Sequence, residues 1–111
     1  MHAWHREAFC LVAVSPGDRI AGFICGRVES GDGLLPGAAG ELNEQYVAPE
    51  TPDADALRRR LVEAAMAHLR RAGAGRTIRC TFDIHDHDRR HLLESLGFEA
   101  DMVAMSRYDE A

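Results

Sequence analysis

The chain has 111 residues, room for one domain around one core and too few to bury a second. Apolar residues make up 46% and charged residues 28%, which excludes an intrinsically disordered chain, and the formal net charge of −5 argues against a general nucleic-acid binder. No stretch approaches the roughly 18 apolar residues of a membrane span. The opening Met1-His2-Ala3-Trp4-His5-Arg6 lacks the apolar centre of a signal peptide, so a cytoplasmic protein with no membrane partner is expected. Cys10, Cys25 and Cys80 form no C-x-x-C pair and each falls in an apolar run, which reads as buried thiols in a reducing compartment.

Along the chain, residues 9–14 are apolar, Ser15-Pro16-Gly17-Asp18 supplies turn chemistry, and a second apolar run covers residues 20–28. This pattern predicts a β-hairpin. Gly22 and Gly26 lie on one face of the second strand, where missing side chains let another backbone pack closely. Residues 30–40, rich in glycine with Asp32 and Pro36, read as a loop. Glu41-Leu42-Asn43-Glu44-Gln45-Tyr46-Val47 is only half apolar, as a cleft-lining strand would be, and Pro49 ends it by removing a ladder donor.

Leu57, Leu61, Ala64, Ala65, Met66, Leu69 and Ala72 recur at helical spacing, which predicts an amphipathic helix over about residues 53–72. Thr51 is the expected N-cap, with Pro52 at the first helical position and Gly73 or Gly75 as the stop. Arg58-Arg59-Arg60 and Arg70-Arg71 read as a solvated helix face that leaves room for a local anion site. Residues 77–84 are β-rich, so a strand-helix-strand crossover with parallel pairing follows. A second helix over about residues 87–96 buries Leu92, Leu93 and Leu96, is capped by Asp86 or Asp88, and stops at Gly97. Residues 98–108 read as one or two final strands. The composite is a mixed α/β fold, a single domain over residues 1–111, with an antiparallel N-terminal hairpin and a parallel crossover.

That element order resembles the GNAT N-acetyltransferase superfamily when it is joined to Tyr46-Val47-Ala48-Pro49-Glu50 before the long helix and Leu92-Leu93-Glu94-Ser95-Leu96-Gly97-Phe98-Glu99 after the next strand. The likeness covers nearly the whole chain, without the family's usual first strand and first helices. It implies acetyl-CoA as co-substrate and transfer of its acetyl group to a primary amine of a small molecule or peptide. The backbone of Tyr46, Val47 and Ala48 would then bind the pantetheine arm, and the helix start at Asp53, Asp55, Leu57, Arg58 and Arg59 would meet the pyrophosphate. Asp86 stands where the family often has an asparagine at the next helix start. Glu44 and His85 are the candidate general bases; the reference pKa of a histidine, roughly 6.5, lies near the working range.

The chain departs from the family pattern at three points. The R-G-x-G-x-G/A loop aligns with Pro52-Asp53-Ala54-Asp55-Ala56-Leu57, so glycines are replaced by Asp, Asp and Leu. A left-handed backbone there costs roughly 1–2 kcal/mol without glycine. A carboxylate about 4 Å from phosphate adds on the order of 1 kcal/mol of repulsion in water. Arg58, with Arg59 and Arg60, offsets part of this. Leu93 aligns with the family's thiolate-protonating tyrosine and has no proton to give. Only eight residues precede the hairpin, so the acceptor pocket is expected to be open or completed by a second copy in a homodimer.

The residues bear on four other readings. A catalytically inactive module for dimerisation or ligand sensing is favoured by Asp53, Asp55 and Leu93. His85-Asp86-His87-Asp88-Arg89-Arg90-His91 places His87 and His91 one helical turn apart, but it reads as a cap with solvent-facing histidines and not as a metal site. No G-x-S-x-G or G-x-x-x-x-G-K run supports a serine hydrolase or a nucleotide hydrolase.

Overall fold

The computed structural model describes residues 5–30, 38–73, 77–83 and 85–100, together with 105, 107 and 109. The chain divides into two compact units, residues 1–81 and 82–111.

In the first unit, β1 (His5–Ser15) and β2 (Arg19–Ser30) form the expected hairpin, longer than the apolar runs alone implied. Its turn is closed by Asp18 N donating to Ser15 O at 3.2 Å. Both β2 and β3 (Ala38–Val47) reach into the stretch read as a loop, and residues 31–37 lie outside the described residues. β3 pairs antiparallel with β2, and β4 (Thr77–Cys80) pairs parallel with β3, giving the sheet order β1-β2-β3-β4. The parallel pair follows from the crossover through α1 (Ala54–Arg71).

The helix covers one face of the sheet. Leu61, Val62, Ala65 and Leu69 form its buried stripe, spaced one turn apart as burial of one helix face requires. Ile24, Val28, Leu42 and Val47 are the buried strand residues of the same core. Gly22 and Gly26 do the work expected of them. A Cβ on Gly22 would stand 2.6 Å from the Tyr46 carbonyl oxygen and 3.3 Å from Leu61, and one on Gly26 would stand 2.5 Å from the Glu41 carbonyl oxygen.

A bulge explains why β3 looked only half apolar. Cys25 faces Glu44 across the ladder, but Gly26 faces Leu42, so Asn43 is the extra residue. Ahead of it, Gly40 and Leu42 point to the core; beyond it, the parity flips, Val47 turns inward, and Glu44 and Tyr46 are exposed.

Three expectations for this unit are corrected. The N-cap of α1 is Asp53 and not Thr51, because the Thr51 N–H closes a turn onto Ala48 O at 3.0 Å and delays the helix. β4 stops at Cys80, and residues 81–83 carry no strand where one was expected to continue to residue 84, which lies outside the described residues. Asp83 is the physical reason: its side chain accepts from His85 N at 2.7 Å and its carbonyl accepts from Asp86 N at 2.9 Å, which bends the chain out of a ladder. The cysteines are not uniformly buried, since Cys10 is exposed and Cys25 and Cys80 are half-buried.

In the second unit, α2 (His87–Ser95) is capped by Asp86, whose side chain accepts from Arg89 N at 3.1 Å, and Gly97 ends it at φ +93°. Leu93 is its buried residue. Residues 98–100 carry no strand; most of the stretch expected to form final strands, 101–104, 106 and 108, lies outside the described residues. No described helix is long and apolar enough to cross a membrane.

Candidate active site

The feature that sets this site apart is a strand that outruns its parallel neighbour. Pairing of β3 with β4 ends at Leu42 opposite Cys80, while β3 continues to Val47 with only β2 beside it among the described residues. One backbone edge of residues 43–47 is therefore not covered by a parallel strand.

Which groups face that edge follows from ladder alternation. Ala48 N donates to Ala21 O at 2.8 Å, so the neighbouring pair Gly22 and Val47 is the non-hydrogen-bonded kind, and the Val47 N–H and C=O turn away from β2. Ala48 is committed to β2, and alternation commits Tyr46 likewise. Of the three backbone positions expected to meet a ligand, Val47 keeps its polar groups directed to the open edge. The Tyr46 side chain is half-exposed and lies against Phe23, ring centroids 5.7 Å apart. Glu44 is exposed one residue past the bulge.

From Ala48 the chain turns directly into the helix. Asp53 adopts φ 53°, ψ 53°, the left-handed region, at a position where the aligned family loop has glycine. Its side chain caps nothing. The first helical hydrogen bond is Leu57 N to Asp53 O at 3.2 Å, so the N–H groups of Ala54, Asp55 and Ala56 precede it and are left for an external acceptor. Arg58 and Asp55 form an ion pair at 2.7 Å. The Asp55 side chain is 94% exposed, so the pair sits on the surface and directs that carboxylate towards its own arginine. Gln45 Nε2 donates to Arg58 O at 2.8 Å, clamping the first turns of α1 to the strand that carries Glu44 and Tyr46. Leu57 and Arg59 are half-buried on the same turns.

His85 and Asp86 belong to the second unit. His85 is exposed and its N–H is held by Asp83. Asp86 spends its carboxylate on the α2 cap and on an ion pair with Arg89 at 3.9 Å. No group of three or more metal-ligating side chains occurs among the described residues.

The first unit thus brings together Glu44, Tyr46, Val47, Ala48, Asp53, Asp55, Leu57, Arg58 and Arg59 on one strand-turn-helix segment. Sequence reasoning missed two contributors. Asn43 as a bulge has no local signature beyond the break in alternation. Gln45 as a clamp needs the helix in place before its partner, a backbone carbonyl, exists.

No protein-family model matches the sequence, and no curated protein is similar enough to count as a match. Solved structures do match in fold. Glucosamine-6-phosphate N-acetyltransferase from Arabidopsis thaliana superposes with a TM-score of 0.75 at 18% identity, over 93% of this chain and 67% of that one. The aminoglycoside N-acetyltransferase AAC(6')-Iy, solved in complex with CoA, gives 0.71 at 15% identity, over 92% and 66%. The aminoglycoside 6'-N-acetyltransferase AAC(6')-IG from Acinetobacter haemolyticus gives 0.66 at 18% identity, over 93% and 72%. The chain has the GNAT-type acetyltransferase fold and spans about two thirds of the length of these chains.

Proposed function

We propose that the protein is an acetyl-CoA-dependent N-acetyltransferase whose acceptor is a primary amine of a small molecule or peptide. The observation that carries the reading is the uncovered edge of β3 running straight into an uncapped helix start, Val47 to Ala56. A pantetheine arm is peptide-like and pairs with a strand edge as a further strand would, and a diphosphate suits N–H groups at the positive end of a helix dipole. The residues present fit such a ligand in part. The Val47 edge and the Ala54, Asp55 and Ala56 N–H groups suit it, while the Asp53 carboxylate opposes it and Asp55 is partly offset by Arg58.

In this reading the thioester supplies the activated acetyl group, and the chain's own residues handle binding and protons. Val47 orients the arm. Glu44, exposed beside the bulge, takes the proton of the incoming amine through water, the amine nitrogen bonds to the acetyl carbon as the thioester C–S bond breaks, and the departing CoA thiolate takes its proton from solvent. His85 is the second candidate for that role, and loss of kcat in Glu44→Gln or in His85→Ala separates the two.

A second reading, a module that binds without transferring, draws on one observation. Leu93, aligned with the family's proton-donating tyrosine, is 3% exposed and apolar. Isothermal titration of acetyl-CoA, with Arg58→Ala in parallel, tests both. Micromolar binding that weakens about tenfold, or ~1.4 kcal/mol, in the variant supports the cofactor site. Binding without turnover of any amine selects the module, and no heat at millimolar ligand removes both.

A further inference from the structure

Away from the strand-helix segment, the hairpin holds a second reactive arrangement. Cys10 on β1 and Cys25 on β2 are direct cross-strand partners, and Cys25 Sγ donates to Cys10 Sγ at 3.1 Å. Directly opposed residues in an antiparallel pair have Cα atoms roughly 4.5–5.5 Å apart, inside the span that a disulfide bridges without moving the backbone. The two positions lie in the middle of an eleven-residue strand and its twelve-residue neighbour, so the register that opposes them is fixed from both sides. Cys10 is exposed, so a dissolved reagent reaches it; Cys25 is half-buried behind it.

We propose that Cys10 and Cys25 form an oxidation site, a cross-strand dithiol that closes reversibly to a disulfide by exchange with low-molecular-weight disulfides. Cys10 loses its proton and attacks one sulfur of R–S–S–R. The Cys10–SR bond forms, the external S–S bond breaks, and R–S⁻ leaves and takes up a proton. Cys25 then gives up its proton and attacks Cys10 Sγ. The Cys10–Cys25 bond forms, the mixed disulfide breaks, and the second R–S⁻ leaves as a thiol. Two protein thiols are oxidised and one external disulfide is reduced to two thiols.

The division of labour follows from the surroundings. The hydrogen bond to Cys10, followed by burial, pushes the Cys25 thiol up from 9.0 to about 11, which disfavours Cys25 as the thiol that attacks first. Cys80 lies on β4, two strands away from β2, and stands outside the pair.

The test uses oxidised glutathione as the disulfide, on the folded chain at micromolar concentration, with alkylation of remaining thiols and peptide mapping. Trypsin cuts after Arg6, Arg19 and Arg27, so the expected product links the peptides 7–19 and 20–27 within one chain. It forms equally in Cys80→Ser, reverts on adding reduced glutathione, and removes two of the three titratable thiols. Cys25→Ser should stop at a stable glutathione adduct on Cys10, with the circular dichroism of the parent confirming that it folds. An adduct on Cys10 that persists in the unaltered chain, a link to Cys80, or only intermolecular links would each overturn the proposal. None of these readouts depends on acetyl transfer.

Discussion

At Asp53 two penalties act on one residue and can be measured apart. The left-handed backbone costs roughly 1–2 kcal/mol in a non-glycine residue, less for Asp than for most. Replacement by glycine recovers that but adds about 0.4–1 kcal/mol of unfolded-state entropy. Asp53→Gly is therefore expected to leave the unfolding free energy within about 0.5 kcal/mol of the parent, read by urea denaturation. Affinity for acetyl-CoA should rise about fivefold, because a carboxylate near a phosphate, worth ~1 kcal/mol in water, is gone. Cys25 gives a pH signature of the opposite kind. Its folded value of about 11 lies above 9.0, so the folded state favours the protonated thiol. The stability it contributes is complete below pH 9.0 and is lost as pH rises towards about 11. Melting temperatures of the parent should fall across that window more steeply than those of Cys10→Ala, whose side chain cannot accept the hydrogen bond responsible.

The elements depend on close backbone approach as much as on apolar surface. Gly22→Ala would push a methyl group to 2.6 Å from the Tyr46 carbonyl, where backbone on both strands must shift. We expect a loss of about 2 kcal/mol or more by chemical denaturation, in the range of overpacked cores. Most elements were legible from period and punctuation: the turn at Ser15 to Asp18, the helical spacing of Leu61, Ala65 and Leu69, the Asp86 cap and the Gly97 stop. The boundaries that sequence reading placed wrongly have local causes. Thr51 looked like a cap but its N–H serves a turn, and Asp83 looked like the inside of a strand but its side chain makes a turn. The candidate site was legible as a segment, since Tyr46, Val47 and Arg58 lie along it. Which backbone groups face outward was not, because that depends on the ladder bond of Ala48 to Ala21. Likewise, the spacing of Cys10 and Cys25 in the chain hides a contact that only hairpin register creates.

For the molecule as a whole, the fold is that of GNAT-type acetyltransferases, and fold alone does not establish activity. The proposed binding segment keeps outward backbone N–H groups but carries Asp53, Asp55 and Leu57 where the loop of the resembled family has glycines. Such a segment predicts where a ligand sits more sharply than how tightly it is held. The most direct test is a titration of acetyl-CoA into isotopically labelled protein, followed by backbone amide chemical shifts. Saturable shifts concentrated at Val47 and at Ala54, Asp55 and Ala56 are expected, with the amide of Ala48, bonded to Ala21, moving less. Unchanged amides along this segment at millimolar acetyl-CoA, or shifts concentrated elsewhere in the sheet, would contradict the assignment of the cofactor site to β3 and the start of α1.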